Sequence, residues 1–374
     1  MLRYLTSGES HGKCMLAILD GMPAGLRVDA KSIDKELARR MFGYGRGKRM
    51  SIESDKVRII SGLRRSVTIG SPITLMVENA DRSIDTLPVV AEPRPGHADL
   101  AGALKYGLGD VRSVLERASA RETVARVGVG AVCKALLAEF GIEVASHVTV
   151  IGGIGSDTRG LPFVKIVERS GKSPVRCADR VATELMCMEI DRAAKDRDTL
   201  GGAFEVIVRG CPPGLGSHTQ WDRRIDAILA RAVMSIQAIK AVSIGMGFET
   251  AIMRGSRVHD EIFYDKRKGF FRKTNNAGGV EGGMTNGENI VIQAAMKPIS
   301  TLRRPLASVN IRTKKGARAT VERSDTCAVP AAGVVAESAV AVEIAGAMVE
   351  KFGGDSIAEM KRNFKGYLEQ VRKF

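Results

Sequence analysis

The spacing of apolar residues along the chain predicts four long helices. From Val114 to Phe140 the apolar side chains recur with the period of one helical face, and the pattern ends at Gly141. Similar patterns predict the other three helices, at Asp222 to Lys240, Ala331 to Phe352 and Ser356 to Phe374.

Runs rich in β-branched residues lie between these helices and predict strands. They are Lys56 to Ile60, Glu143 to Ile151, Ala203 to Val208, Ile290 to Met296 and Ser308 to Ile311. Helices and strands follow one another without a strict strand–helix–strand rhythm, which favours an α+β fold over a doubly wound parallel sheet. Since no proline-rich or serine-rich linker divides the chain, we predict a single domain over residues 1–374.

The charge of the chain indicates a polyanionic partner. Lys and Arg number 57 against 42 Asp and Glu, a formal net charge of +15, and the basic residues are spread along the sequence. Such a field suits either nucleic acid or a small phosphorylated, carboxylated metabolite. Aromatic residues are only 5% of the chain, with Trp221 the one tryptophan, so the stacking surfaces of single-strand binders are scarce. This favours the small anion.

Cysteine usage predicts a cytoplasmic protein. The six cysteines contain no CxxC pair, which is typical of reduced thiols. The N-terminus lacks a basic segment followed by an apolar one. No stretch approaches about 20 uninterrupted apolar residues, so we expect no membrane span.

Three glycine-rich loops are candidates for anion binding. They are Phe42 to Lys48, "FGYGRGK", Pro93 to Asp99, "PRPGHAD", and Asn275 to Gly287, "NNAGGVEGGMTNG". Glycine lets backbone N–H groups approach an anion closely. Any one of these loops, taken alone, is also explained as a plain turn.

Two of the five histidines are candidates for proton transfer. His11 in "ESHG" and His97 in "PGHAD" lie in loop signatures, where an imidazole can give or take a proton. His147 lies in a strand-like run and is expected to be a half-buried sheet residue, whereas His218 and His259 are expected to be solvated. The absence of HExxH, CxxC or clustered Asp/His spacing argues against a metal site.

Charged residues at short spacings form further candidates. Arg117 and Arg121 are four residues apart, on one face of the predicted helix, where a solvated stripe is the alternative. Arg323 and Asp325 are two apart and share a face if the chain is extended. Their pairing is either an ordinary ion pair or a carboxylate kept ionised to act as a base. The segment "MKPIST", Met296 to Thr301, follows a strand and offers a compact phosphate cradle.

A series of motifs covers nearly the whole chain. In order they are "GESHG", "GYGRGKRM", "IESDKVRIISG", "GSPITL", "PRPGHADLAGALKYG", "LERASARETVARV", "QWDRRIDAILARAVMSIQAIK", "TNNAGGVEGGMTNGE", "MKPIST" and "VERSDTCAVPAAG". This series resembles the chorismate synthase family. A match of many long motifs in one order is far more specific than any single motif.

The resemblance implies a fold and an activity. The implied fold is a β-α-β sandwich with antiparallel sheets flanked by helices, and the implied assembly is a homotetramer. The implied reaction is the last common step of the shikimate pathway of aromatic amino acid biosynthesis. In this lyase reaction 5-enolpyruvylshikimate-3-phosphate loses phosphate and a C6 hydrogen by 1,4-anti elimination to give chorismate. Reduced FMN is the implied cofactor, with NADPH as a candidate reductant. The two carboxylates and the phosphate of this substrate agree with the basic charge.

Residue roles are also implied by the resemblance. His11 is expected beside the substrate phosphate, His97 near the flavin ring, and Asp325 with the flavin in removal of the C6 proton. Arg40 and Arg46 match arginines for the substrate phosphate or a nicotinamide nucleotide, and Arg49 and Arg121 are expected to add positive charge. FMN contacts are implied for Arg117, Ala118, Ser119, Gln237, Ala238, Gly282, Lys297, Pro298, Ile299, Ser300, Thr301 and Arg323.

Two other classes of protein are rivals to this interpretation. The isoelectric point near 9.7 motivates a nucleic-acid-binding protein, which would gather its basic residues on one surface and lose DNA affinity steeply with salt. A flavoprotein that performs another elimination on a phosphorylated substrate is the second rival. The scattered basic residues and glycine-rich loops favour the chorismate synthase resemblance over nucleic-acid binding.

Overall fold

The computed structural model describes residues 2–46, 55–267, 269–322 and 324–374. The α-helices in these ranges are α1 (Ala30–Met41), α2 (Asp99–Tyr106), α3 (Arg112–Ala118), α4 (Thr123–Ala138), α5 (Phe163–Lys172), α6 (Arg180–Lys195), α7 (Ile225–Met234), α8 (Gly255–Val258), α9 (Val329–Phe352) and α10 (Ile357–Lys373). Short 3₁₀ helices occupy Ala120–Glu122, Trp221–Arg223 and Gly247–Ile252.

Two antiparallel sheets form the outer layers of the fold. The strand order of the first is β1 (Arg3–Ser7), β2 (Cys14–Asp20), β6 (Ile73–Glu78) and β3 (Val57–Ile59). The order of the second is β10 (Ile239–Ile244), β15 (Ile290–Met296), β9 (Gly202–Arg209), β7 (Glu143–Ile151) and β8 (Ile154–Gly155). Small two-stranded hairpins are β4 (Leu63–Arg64) with β5 (Val67–Thr68), β11 (Ile262–Asp265) with β12 (Gly269–Arg272), β13 (Val280–Glu281) with β14 (Met284–Thr285), and β16 (Ala307–Val309) with β17 (Gly316–Arg318).

Helices α1, α4 and α9 fill the space between the two sheets. Helix α4 packs on β2 and β6 of the first sheet, and α9 packs on β7 and β9 of the second. The two helices also pack on each other, so the layers run sheet, helices, sheet. The predicted α+β class and the β-α-β sandwich are confirmed. The assignment of residues 1–374 to a single domain stays a prediction.

The two central helices approach to backbone contact at one glycine. A Cβ atom placed on Gly130 of α4 would lie 2.2 Å from the Cβ of Ser338 in α9. Any larger residue would therefore push the helices apart, and the close approach depends on the missing side chain.

Helix α9 is apolar on nearly all sides. Within the described part of the chain it is the one helix that length and composition would allow to cross a membrane, and most of it is buried inside the protein. A helix that is covered by a sheet and by other helices has no solvent face that needs polar residues. We therefore assign α9 to the core.

A buried ion cluster joins the central helices to β7. Glu337 of α9 is fully buried, and its carboxylate accepts hydrogen bonds from Arg39 and Arg176 at 2.8 and 3.0 Å. The Ser146 backbone N–H and hydroxyl donate to the same carboxylate at 2.9 and 2.7 Å. Lys134 also pairs with it. Burial raises the pKa of Glu337, but Lys134, Arg39 and Arg176 outweigh burial and hold the pKa far below its ordinary value.

The predicted helix from Val114 to Phe140 is broken at Ser119. This residue is extended, with ψ of 143°, and its Oγ accepts the backbone N–H of Arg121 at 3.3 Å. A side-chain acceptor of this kind starts a new turn, and the chain continues as a 3₁₀ helix and then α4. Arg117 and Arg121 consequently belong to different elements, and the prediction that they share one helical face is wrong.

The predicted helix from Asp222 to Lys240 is also too long. Helix α7 ends at Met234, and β10 begins at Ile239. Ala238, directly before this strand, has φ of 67°. This left-handed conformation is incompatible with a continuing helix.

The other predicted elements are confirmed to within two residues at each end. Helix α10 begins after Ser356, whose Oγ accepts the Glu359 N–H at 3.2 Å and so caps the first turn. Strands β7 and β15 have the predicted limits. His147 is fully buried in β7, deeper than the predicted half-buried position, and its Nε2 lies 3.2 Å from Glu205 on the neighbouring strand.

Candidate active site

His11 lies in the loop between β1 and β2 and is held by one residue of α3. Oε2 of Glu116 accepts the His11 backbone N–H at 2.8 Å, and Oε1 of Glu116 lies 2.9 Å from His11 Nδ1. The Glu116 backbone carbonyl accepts the Ser10 N–H at 3.1 Å. The loop is therefore anchored on α3 through Glu116.

The partner of His11 fixes which ring nitrogen carries a proton. Burial raises the pKa of Glu116, but hydrogen bonds from the ring and backbone of His11 outweigh burial, and the pKa is lowered. An ionised carboxylate only accepts hydrogen bonds, so His11 must carry a proton on Nδ1. Nε2 is then the ring nitrogen that does not face Glu116.

His97 lies before α2 and has a similar partner. Its Nδ1 contacts Oδ1 of Asp99, and Arg94 Nε donates to Asp99 Oδ2 at 2.8 Å. Another nitrogen of Arg94 donates to Thr301 Oγ1 at 2.8 Å. Burial raises the pKa of Asp99, but hydrogen bonds from His97 and Arg94 hold it far below its ordinary value. Both predicted histidines thus meet a buried carboxylate through Nδ1.

The segment from Lys297 to Thr301 lies beside the His97 loop. The Lys297 ammonium donates to the Gly96 carbonyl, and the Lys297 backbone N–H donates to the Ala238 carbonyl at 3.0 Å. The Ile299 carbonyl accepts the hydroxyl of Thr199 at 2.7 Å. The structure therefore brings together the two segments 237–238 and 297–301, which were both predicted to contact FMN.

Gln237 carries a buried carbonyl oxygen that has no hydrogen-bond partner within the described ranges. Its Nε2 donates to Glu122 at 3.3 Å, and Glu122 also accepts the Thr6 hydroxyl at 2.7 Å. Arg117 donates to the Thr6 carbonyl at 2.9 Å. The end of β1 therefore links Arg117 to Gln237.

The other described residues that were predicted to contact FMN are less closely connected to segments 237–238 and 297–301. Ala118 is the last residue of α3, and the Ser119 hydroxyl donates to Ser10 Oγ at 3.3 Å, next to His11. Gly282 lies in the turn between β13 and β14 with φ of 58°, and a Cβ there would meet nothing within 4 Å. None of the contacts given above joins Gly282 to the other residues.

Three arginines and two carboxylates form a second buried group. Arg46 Nη1 lies 2.7 Å from Oδ2 of Asp325, and Arg121 Nη1 lies 2.6 Å from Oδ1 of Asp55. Arg40 is buried between these pairs, and its Nη1 lies 3.5 Å from Asp55 Oδ2. These residues come from three separate parts of the sequence, positions 40–55, 121 and 325.

The charges of this group favour an anionic ligand. The pKa of Arg40 is lowered to about 10, chiefly by burial and also by Arg46 and Arg121, although Asp55 and Asp325 act to raise it. A buried cation that is destabilised by its surroundings gains from an added negative charge. Arg40 Nη1 also lacks a hydrogen-bond acceptor in the part of the chain that the structure describes.

Asp325 connects the arginine group to the His97 loop. Asp325, Ser324 and Thr301 line one small cavity, and the Ser324 hydroxyl donates to the Thr301 carbonyl at 2.8 Å. Since Thr301 is also bonded to Arg94, the chain of contacts continues to His97. Asp325 of the arginine group is thus linked through Thr301 of the proposed flavin segment to His97.

Two predicted site residues, Arg49 and Arg323, lie outside the described residues. Among the described ones, no group of three or more His, Cys, Asp and Glu side chains is placed to hold a metal ion.

Sequence reasoning missed the groups that position the predicted residues. Glu116, Asp99, Arg94 and Asp55 were inside or next to the quoted motifs, but no role was assigned to them. The two-residue separation of His97 and Asp99 was the one local signal. Glu116 is 105 positions from His11, and no periodicity reports a contact at that distance.

The chain is similar over its length to proteins of one family. A family model described as chorismate synthase matches residues 2–349. Chorismate synthase from Geobacter sulfurreducens is 56% identical, with 100% of both chains covered. Chorismate synthases from Desulforudis audaxviator and Brevibacillus brevis are 54% and 51% identical, covering 100% of this chain and 98% and 100% of theirs. A crystal structure titled chorismate synthase superposes with a TM-score of 0.83 at 43% identity, covering 100% of this chain and 99% of that one.

Proposed function

Because the chain belongs to the chorismate synthase family, we propose that His11, His97 and Asp325 carry out the family's reaction with reduced FMN. The enzyme is a carbon–oxygen lyase. It removes phosphate and the C6 hydrogen from 5-enolpyruvylshikimate-3-phosphate and gives chorismate, in the shikimate pathway. The observation that carries the residue assignment is the convergence of Arg46, Arg121, Asp55 and Asp325 around Arg40, with Arg46 paired to Asp325.

The arginine group is proposed to bind the anionic groups of the substrate. Three negatively charged groups leave water when this substrate enters a pocket, which is costly unless cations are fixed there beforehand. Arg40, Arg46 and Arg121 supply such cations, and we propose that Arg49 adds another. Asp55 holds Arg121 and Arg40 in place and leaves an excess of positive charge.

The two histidines and Asp325 are proposed to manage protons and charge. With Nδ1 on Glu116, His11 presents Nε2 as the donor that neutralises charge on the leaving phosphate oxygens. His97, bonded to Asp99, is proposed to serve the flavin ring in the same way. Asp325 is proposed to accept the C6 proton, since it is a carboxylate beside arginines in the same cavity as Thr301 and Ser324.

The residues at the proposed flavin site fit the cofactor. The buried Gln237 carbonyl needs a donor, which the N–H and hydroxyl groups of FMN provide. Segment 297–301 offers Lys297 and backbone groups for the phosphate end of FMN. Gly282 has no side chain and has open space beside it, so its backbone can approach the cofactor closely. Reduced flavin supplies electron density that makes phosphate departure and C6 proton loss feasible without net oxidation. Arg117, Ala118, Ser119 and Arg323 complete the proposed set.

A cytoplasmic homotetramer is the proposed state of the enzyme. All six cysteines are unpaired, which supports a reducing compartment. On the outer face of the first sheet, the cross-strand neighbours Leu5 and Ile18 are 76% and 47% exposed. Exposed apolar residues that are adjacent across strands support burial against another copy of the chain.

An anaerobic assay tests the cofactor and separates the rival functions. Incubation with 5-enolpyruvylshikimate-3-phosphate, FMN and dithionite should yield chorismate and inorganic phosphate in equal amounts, and no product without flavin. Release of phosphate without chorismate would favour a different elimination. A parallel reaction with NADPH in place of dithionite, and no added reductase, tests whether a nicotinamide nucleotide reduces the flavin.

Replacing either loop histidine by alanine is expected to slow turnover by about 10²-fold or more, the contribution of a positioned proton donor. FMN binding, followed by quenching of flavin fluorescence, should be largely unchanged in His11→Ala and His97→Ala. His218→Ala is the matched control, because His218 is exposed at the surface. Parent-like activity of both loop variants would contradict the assigned roles.

A further inference from the structure

We propose that Glu116 is a positioning residue for the reaction, because it fixes both the backbone and the ring of His11. This inference rests on the proposed function of His11. Glu116 does not need to touch the substrate in this role. It acts by fixing the orientation of the neighbouring imidazole and by determining which of the two ring nitrogens carries the proton.

The contacts of Glu116 are concentrated on one short loop. Its two carboxylate oxygens receive the His11 backbone N–H at 2.8 Å and the His11 ring Nδ1 at 2.9 Å, and its own carbonyl receives the Ser10 N–H. Adjacent loop residues are therefore tied to one position of α3. A ring that is held at both its backbone and its Nδ1 has little freedom to rotate.

The burial of this pair strengthens the effect. The Glu116 side chain is 1% exposed and that of His11 is 15% exposed. Water therefore does not compete for the carboxylate, while the imidazole is partly exposed. When Nε2 takes up a proton, the ionised carboxylate stabilises the imidazolium, and when Nε2 gives the proton up, Nδ1 keeps its own.

Arg112 keeps the carboxylate charged without replacing His11 as its partner. Arg112 Nη1 is 3.8 Å from Glu116 Oε1, whereas it is 2.9 Å from Oε1 of Glu322. The guanidinium is therefore paired more closely with Glu322. Both oxygens of Glu116 remain engaged with His11.

The variant Glu116→Gln separates this role from simple packing. Glutamine has nearly the same shape, but it is uncharged and one of its two terminal groups is an NH₂ donor, which cannot accept a His11 N–H group as the second carboxylate oxygen does. We expect kcat to fall by about 10-fold or more while KM for the substrate changes little, since a misplaced proton donor affects the chemical step. Glu343→Gln on α9 is the control for a Glu-to-Gln change away from this site and should have parent-like kinetics.

A double-mutant cycle tests whether Glu116 acts through His11. If it does, His11→Ala combined with Glu116→Gln is no slower than His11→Ala alone, because the residue being positioned is already absent. Two results would overturn the inference and leave the role of His11 intact. In the first, the losses of turnover rate multiply in the double variant. In the second, the Glu116→Gln enzyme is as fast as the parent although the His11→Ala enzyme is slow. If the His11→Ala enzyme is as fast as the parent, both the role of His11 and the inference about Glu116 are refuted.

A spectroscopic measurement keeps the inference testable if Glu116→Gln fails to fold. In the parent enzyme labelled with ¹⁵N-histidine, the His11 signals are identified by their loss in His11→Ala. We expect the neutral His11 ring to carry its proton on Nδ1, the nitrogen that faces Glu116. A neutral His11 that carries its proton on Nε2 would overturn the inference.

Discussion

Asparagine in place of Asp325 is expected to slow chorismate formation by about 10²- to 10⁴-fold, the range that a positioned proton acceptor contributes. Asparagine keeps the shape of the side chain and can still accept a hydrogen bond from Arg46, which lies 2.7 Å from the carboxylate. It lacks the negative charge and the basicity needed to take the C6 proton. The loss should therefore appear in kcat under anaerobic assay, with an unchanged circular dichroism spectrum.

An alternative role for Asp325 is that of an ion-pair partner of Arg46 alone. The two roles differ in their response to substrate that carries deuterium at C6. If Asp325 accepts the proton, Asp325→Asn should increase the isotope effect on kcat/KM, because proton removal becomes slower relative to the other steps. Arg46→Lys should raise KM for the substrate and leave the isotope effect near that of the parent. Turnover of Asp325→Asn within about threefold of the parent would refute the proton-acceptor role.

Glu337→Gln is expected to lower the free energy of unfolding by about 3–5 kcal/mol, the usual result of removing one partner from a buried ion cluster. The change leaves Arg176 buried, and Arg39 and Lys134 partly buried, with one acidic neighbour, Glu36, among the described residues. The measurement is the urea midpoint and slope of parent and variant at neutral pH. Glu168→Gln, at the surface in an exposed ion pair, is the control and should leave the midpoint unchanged.

The cost of Glu337→Gln should depend on pH with a defined sign. The pKa of Glu337 is held below its unfolded value, so its contribution is fully present above the unfolded pKa of about 4.3. That contribution is lost as the pH falls through the folded pKa. The gap between parent and variant should thus be constant from about pH 6 to 8 and narrow below about pH 4. A gap that stays constant in acid would show that Glu337 stabilises the fold through its hydrogen-bond acceptors rather than through its charge.

The helix predictions succeeded where local sequence controls the outcome and failed where a distant contact intervenes. Helix α10 is capped by Ser356, directly before its own first residue, and its limits were predicted closely. The break at Ser119 depends on a side chain that turns the backbone so that Arg121 reaches Asp55 and Asn79 in the interior. Apolar periodicity continues through that break, so it gives no sign of it.

The sequence by itself determined the α+β class, the family and the identity of the candidate acid–base residues, because motif order and residue type are local properties of the chain. Only the tertiary structure decided that Glu116 holds His11 and that Arg46 pairs with Asp325. Glu116 with His11, and Glu337 with Arg39, are joined across 105 and 298 positions. Such pairs form because packing removes water from charged groups, which then need a partner of opposite charge inside the protein. Which partner lies within reach depends on the folded sandwich and not on the neighbouring residues in the sequence.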